Sequence, residues 1–117
     1  MAKYVGNSFL ATKISFFNEI YDICKAANVD YNSVAELVKT DKRVGTSHMQ
    51  VPGKDGQYGF GGKCFPKDLN GLISFGKDHG AEPLILESVW SKNLLAREVY
   101  DWEKLNQVTG KYEKKGV

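Results

Sequence analysis

Between Lys3 and Ala27, apolar side chains recur at Phe9, Leu10, Ile14, Phe17, Tyr21 and Cys24, at spacings of three and four. That period is one face of an α-helix, so the first part of the chain is committed to a single long rod. A second, short helix is predicted from Ser33, where Ser33 and Glu36 have capping-box spacing and Val34, Leu37 and Val38 form the apolar stripe; it ends near Thr40. Pro66 suits the first position of a third helix, with Leu69, Leu72, Ile73 and Phe75 as its stripe and Gly80 as its stop. Pro83 opens a fourth, long helix carrying Leu86, Val89, Trp90, Leu94, Leu95, Val99 and Trp102, with Glu87, Lys92, Arg97 and Glu98 between them.

Period-two alternation, internal repeats and low-complexity segments are absent. The expected fold is all-α, about four helices with long first and last members, over residues 1–105, followed by a polar tail at 106–117. The first and last helices carry more apolar surface than two short helices can cover. Trp90, Tyr100 and Trp102 are large groups to leave in water, so a helical dimer is expected.

A chain of 117 residues that is 42% hydrophobic can build one core. Its 16 basic and 14 acidic residues are spread along the sequence and give a net charge of +2, with no basic face to mark a nucleic-acid partner. Lys111, Lys114 and Lys115 form the one run of like charge, expected to be solvated. Apolar runs such as Leu84-Ile85-Leu86 are far shorter than a membrane span, and no signal-peptide pattern opens the chain, so a cytoplasmic protein without a membrane partner is expected. Two cysteines forty residues apart make no disulfide framework.

From Gly45 to Gly62 the periodicity disappears, and six of these eighteen residues are glycine. A loop this long in a small domain points to function, and its glycines permit close backbone approach to a ligand. It ends in Gly59-Phe60-Gly61-Gly62-Lys63-Cys64-Phe65-Pro66-Lys67-Asp68, which puts a thiol where a glycine loop turns into a helix. The helix terminus and the flanking Lys63 and Lys67 favour a thiolate, and glycine amides would be free to hold an oxyanion or phosphate. Cys24, on the apolar face of the first helix, reads as a small buried hydrophobe.

Other chemistries fail on the residues. Cys24, Cys64, His48 and His79 lack zinc-ligand spacing, so no metal site is expected. A Walker loop needs Ser or Thr where Cys64 stands, and a dinucleotide fingerprint needs a third glycine there and a preceding strand. Lys3 and Asn7 lie four residues apart on a helix face distinct from the Phe9–Ile14 stripe, and taken alone they are ordinary surface.

Taken together, Lys3-Tyr4-Val5-Gly6-Asn7, the run Leu10–Phe16, Asn18-Glu19, Asp41-Lys42-Arg43-Val44-Gly45 and the cysteine motif resemble the UDP-glucose and GDP-mannose dehydrogenase family over about the first 105 residues. The resemblance implies the helical middle domain of an enzyme, of the type seen C-terminally in 6-phosphogluconate dehydrogenase. Such enzymes oxidise the sugar C6 alcohol of a nucleotide sugar twice, using two NAD bound mainly by a Rossmann domain that this chain lacks. By the same carry-over, Cys64 attacks the C6 aldehyde to give a thiohemiacetal and then a thioester. Lys3 and Asn7 steady developing oxygen charge and a bound water, and Asp68 assists proton transfer.

Arg43 matches an arginine that reaches the substrate of the other subunit in a homodimer. Phe60, Gly61 and Phe65 match substrate-loop positions, His48 lies in the same loop, and Lys67 matches a position near the cofactor. The stretch Thr46–Tyr58 is longer than in many relatives. Because Met1-Ala2-Lys3 begins within the matched helix, a truncated frame is expected, inactive without its NAD domain. The rival expectations are a stand-alone helical dimer that binds nucleotide sugar without catalysis, and a module that only oligomerises.

Overall fold

The computed structural model describes residues 1–104, and every regular element among them is helical. α1 spans Ala2–Ala27, α2 Tyr31–Val38, α3 Cys64–Asp78, α4 Leu84–Ala96 and α5 Asp101–Lys104. The all-α class is the one the periodicity predicts. The expected domain end at 105 and the tail with Lys111, Lys114 and Lys115 lie outside the described residues. No helix among the described residues is long and apolar enough to cross a membrane.

The helix ends show where local signals held and where they did not. α1 stops at Asn28, which takes the left-handed conformation (φ 59°, ψ 43°) while the Val29 amide donates back to the Cys24 carbonyl at 2.8 Å. α2 starts earlier than predicted, and its cap is Asp30 rather than Ser33. The Asp30 carboxylate accepts the Ser33 amide at 3.0 Å and the Ser33 hydroxyl at 2.7 Å, a charged acceptor at the positive end of the helix. The earlier start also places Tyr31 in the core, where its hydroxyl donates to the Met49 carbonyl at 2.5 Å. Burial, with Cys24 nearby as the lesser cause, pushes that phenol up to about 12.

α3 begins two residues before Pro66, which its first turn tolerates because a proline there removes an amide that has no helical partner. The fourth helix is not the long one expected. It stops at Ala96, where Arg97 turns extended (φ −86°, ψ 133°), and the chain returns in the short α5. No proline or glycine stands at that break.

α3 runs antiparallel to α1: Asn18 meets Gly59 ahead of α3, Asn7 meets Asp68, and the Tyr4 ring lies against Gly71. α4 lies alongside α1, tied by Lys92 to Asp22 at 2.7 Å. Ala11, Phe60, Leu69, Ile73 and Val89 form the core where these helices meet, and Phe17, Cys24, Tyr31, Ala35, Met49 and Val51 form a second one under α2.

The α1 face against α3 and the loop is made of Ser8, Ala11, Ser15 and Asn18, all buried. Small side chains let backbone and helix approach closely there. Phe9, expected on the buried stripe, is 63% exposed, and Val5, Phe16 and Ile23 are also outside. The aromatic argument for a dimer is likewise corrected. Trp102 packs on Trp90 at 5.1 Å and on Tyr100 at 4.8 Å, so these rings cover one another within the chain. Exposed apolar side chains instead stand on the outer side of α1 and at Leu37 of α2, Phe75 of α3 and Leu84, Ile85 and Leu95 of α4.

Candidate functional site

Cys64 is the first residue of α3, and its thiol is exposed, whereas Cys24 is buried. No side chain caps α3, so the first-turn amides of Cys64 and Phe65 point from the helix end beside the sulfur. One turn further on, Asp68 is fully buried. One carboxylate oxygen accepts from the Asn7 amide nitrogen at 2.7 Å across the α1–α3 contact, and the other has no hydrogen-bond partner. An orphaned carboxylate oxygen in a buried position is costly, and a group that donates to it would be strongly held.

Lys3 is exposed one turn before Asn7. Because α1 and α3 are antiparallel, Lys3 and Cys64 stand at opposite ends of a row with the Asn7–Asp68 pair between them, about 12 Å of helix rise apart. The structure therefore joins Asn7 to Asp68, sets Cys64 on one side of the pair and Lys3 on the other.

Behind Cys64 the glycine loop is closed, not open. The amide of Gly59 donates to Asn18 Oδ1 at 2.8 Å, that of Phe60 to Asn93 Oδ1 at 2.7 Å and that of Gly62 to Asp101 Oδ1 at 3.0 Å. Asn93 also donates to the Phe60 carbonyl at 2.9 Å. The expectation that glycine amides stay free to cradle an oxyanion or phosphate is overturned for Gly59 and Gly62, and the Phe60 amide between them is likewise occupied, because α1, α4 and α5 supply the acceptors. Gly59 and Gly61 have a steric reason to be glycine: a Cβ would meet Asn93 Oδ1 at the first and the Arg97 guanidinium at the second.

The other predicted residues divide by place. Phe60 is buried in the core, against Phe65 at 6.4 Å and Trp90 at 6.2 Å, so its ring shapes the loop from within. Phe65, next to Cys64, lies between Phe60 and His48, whose ring centroid is 5.9 Å away. His48 takes a left-handed φ of 62°, and its Nδ1 is hydrogen-bonded to Ser47 Oγ at 2.8 Å. Burial first, and then the charges of Lys13 and Lys54, hold its imidazole below the ordinary histidine range. Beside it opens a cavity of about 420 Å³ bounded by Ile14, Lys39, Ser47, His48, Met49 and Lys54. Lys67 is exposed on the turn after Cys64.

Arg43 is not drawn into this cluster. Its guanidinium is paired with Asp41, at 3.0 and 2.7 Å, and its side chain lines an apolar groove with Phe9, Phe16, Val34 and Val38.

Sequence reasoning missed the residues that hold the loop: Asn18, Asn93, Arg97, Asp55 and Asp101. Arg97 was read as a polar face residue, yet it is fully buried. One signal was present. Asparagine is a poor helix former, and Asn18 and Asn93 stand inside otherwise apolar helices, where a side-chain amide is worth keeping if it binds backbone. Among the described residues no group of three His, Cys, Asp or Glu side chains comes together as a metal site.

Comparison with known proteins agrees with the cysteine segment. Residues 1–94 match the central domain of the UDP-glucose/GDP-mannose dehydrogenase family. The chain is 40% identical over 110 residues to UDP-glucose 6-dehydrogenase TuaD of Bacillus subtilis, covering 94% of this chain and 23% of that protein. It is 41% identical over 98 residues to a UDP-glucose 6-dehydrogenase of Pseudomonas aeruginosa, covering 84% and 20%. With UDP-glucose 6-dehydrogenase AglM of Haloferax volcanii it shares 38% over 93 residues, covering 80% and 20%. The chain thus spans only 20–23% of the length of these relatives.

Proposed function

The chain belongs to the UDP-glucose/GDP-mannose dehydrogenase family, as its central domain, and from that premise we propose that it supplies the nucleophilic part of an NAD-dependent nucleotide-sugar 6-dehydrogenase site. The observation that carries this reading is the exposed Cys64 thiol at the uncapped start of α3, one turn from the Asn7–Asp68 pair. The relatives named above are UDP-glucose 6-dehydrogenases, which makes UDP-glucose the first sugar to test.

Cys64 Sγ adds to the C6 aldehyde, forming a C–S bond while the carbonyl oxygen takes up the negative charge. The first-turn amides of α3 face that charge, and Lys3 supplies a proton donor if its flexible chain folds back along α1 toward Asn7. Asp68, held by Asn7, keeps one oxygen free to accept a proton from water, and that water releases the acid from the later thioester and returns the thiol.

The oxidations themselves require a nicotinamide as hydride acceptor. The described residues do not fit a dinucleotide cradle: no strand precedes the glycine loop, and the Gly62 amide is occupied by the carboxylate of Asp101, which repels a pyrophosphate. NAD therefore belongs to another domain in this proposal, with Lys67 facing it from α3.

A homodimer through the outer face of α1 completes the reading. Phe9 and Phe16 stand exposed beside the groove that Arg43 lines, so a second copy seated there would bring Arg43 toward the partner's substrate rather than its own.

The test supplies a nicotinamide-binding domain, fused or in trans, and follows NADH formation with UDP-glucose. The expected result is turnover that Cys64→Ala lowers by more than about a thousandfold. Turnover that survives the substitution overturns the proposal.

A further inference from the structure

We propose that Arg97 is a positioning residue of this site: with Asp55 and Asp101 it forms a buried latch that fixes the glycine loop behind Cys64. Its catalytic meaning rests on the reading of Cys64 as nucleophile, but its test does not.

Arg97 is fully buried, and a buried guanidinium is tolerated only when its donors are matched. Nη1 donates to the Tyr58 carbonyl at 3.1 Å, and Nη2 to Asp55 at 2.6 Å and to Asp101 at 3.4 Å. Both carboxylates act on the loop with their other oxygens. Asp55 Oδ1 accepts the Gln57 amide at 3.0 Å and closes a turn in which the Gly53 amide donates to the Gln57 carbonyl at 2.8 Å. Asp101 Oδ1 accepts the Gly62 amide at 3.0 Å. One guanidinium therefore fastens the loop on both sides of Gly59–Gly61, and its planar fork does what an ammonium point charge would not.

Two further observations fit a device that fixes geometry. α4 breaks at Arg97 without proline or glycine, and the break is what turns the side chain inward and brings Asp101 back to Gly62. Gly61 lies so close under the guanidinium that a Cβ would collide with it. The latch ends two residues before Cys64, so loop and helix start move together.

The test uses this chain, measuring amide hydrogen exchange residue by residue, alkylation of Cys64 by iodoacetamide and the melting temperature. Asp55→Ala removes the more exposed partner, Arg97→Lys keeps the charge and loses the fork, and Asp55→Asn keeps one acceptor oxygen without the charge. In Asp55→Ala and Arg97→Lys, exchange of the Gly62 amide rises at least about tenfold, and Cys64 alkylation falls at least about threefold. The Phe60 amide, held by Asn93, and the α3 amides keep their rates, and Asp55→Asn lies between Asp55→Ala and the wild type.

Unchanged rates at Gly62 overturn the latch. So does a uniform rise of all amides with a lower melting temperature, and so does a change at Gly62 that leaves Cys64 unaltered. If Arg97→Lys does not fold, Asp55→Ala decides. Failure of the Cys64→Ala activity test leaves all of these rates as they are, so the two proposals fail separately.

Discussion

The two sides of α1 are built on opposite rules. The side against α3 and the loop carries Asn7, Ser8, Ala11, Ser15 and Asn18, small or polar and mostly buried, while Val5, Phe9, Phe16 and Ile23 face outward. Hydrophobicity alone would reverse the two. The inner side is chosen for approach and for hydrogen bonds. Ala11 is fully buried at the centre of a core cluster, Asn18 reaches the Gly59 amide, and Asn7 reaches Asp68. The outer side is chosen for area, and area without a covering element fits a second protein surface. One helix thus packs through small and polar groups on one side and leaves apolar area uncovered on the other.

The sharpest way to break this comparison is to remove a polar group from the inner side. Asn18→Ala leaves the buried Gly59 amide without its acceptor, and the expected cost is about 1–3 kcal/mol of folding stability, read by urea unfolding. A smaller cost would mean that water or a neighbouring carbonyl replaces Asn18, and that the inner side is less tightly specified than its geometry indicates. The outer side predicts the contrary. Phe9→Gln changes the stability of the monomer by no more than about 0.5 kcal/mol, because the ring is already largely in water. In sedimentation at micromolar concentration the wild type is expected as a dimer and the variant as a monomer. A monomeric wild type sinks the interface and leaves Arg43 without a role across it.

The same contrast explains what was legible in the sequence. The long first helix was readable because its period is local, and Phe17, Cys24, Ile14 and Tyr21 of its stripe do face the cores, whereas Phe9 is exposed and the burial of Ser8 and Ala11 depends on α3 and the loop arriving from more than forty residues away. The Cys64 motif was readable because thiol, glycines, proline and lysines are contiguous. The state of the loop amides was not, because Asn18, Asn93 and Asp101 come to them from three different helices. Gly80 announced the end of α3, whereas nothing local announced the end of α4. At that break Arg97 meets Asp55 across forty-two residues of sequence, a tertiary contact with no local signature. Asp30 displaced Ser33 as the cap of α2 for a simpler reason: two capping side chains stood three residues apart, and the charged one won.

The smallest expected effect concerns pH and the link between loop and helix. For Asp55, burial is the largest single influence and pushes its carboxyl upward. The Gln57 amide and then the hydrogen bond and charge of Arg97 together outweigh it, and the carboxyl is held below the usual carboxylate range. A depressed folded value means that the unfolded chain binds protons more readily. The stabilisation is complete above the unfolded carboxylate value near 3.9 and disappears as the pH falls through the lower folded value. Because Asp55 is 47% exposed, solvent screens much of it and the effect on melting is small. The local effect is the more telling one: exchange at Gly62, corrected for its intrinsic pH dependence, should accelerate below pH 4 in the wild type and less steeply in Asp55→Asn. Equal acid profiles in both proteins would show that the charge of Asp55 is idle, leaving the fork geometry of Arg97 as the whole of the latch.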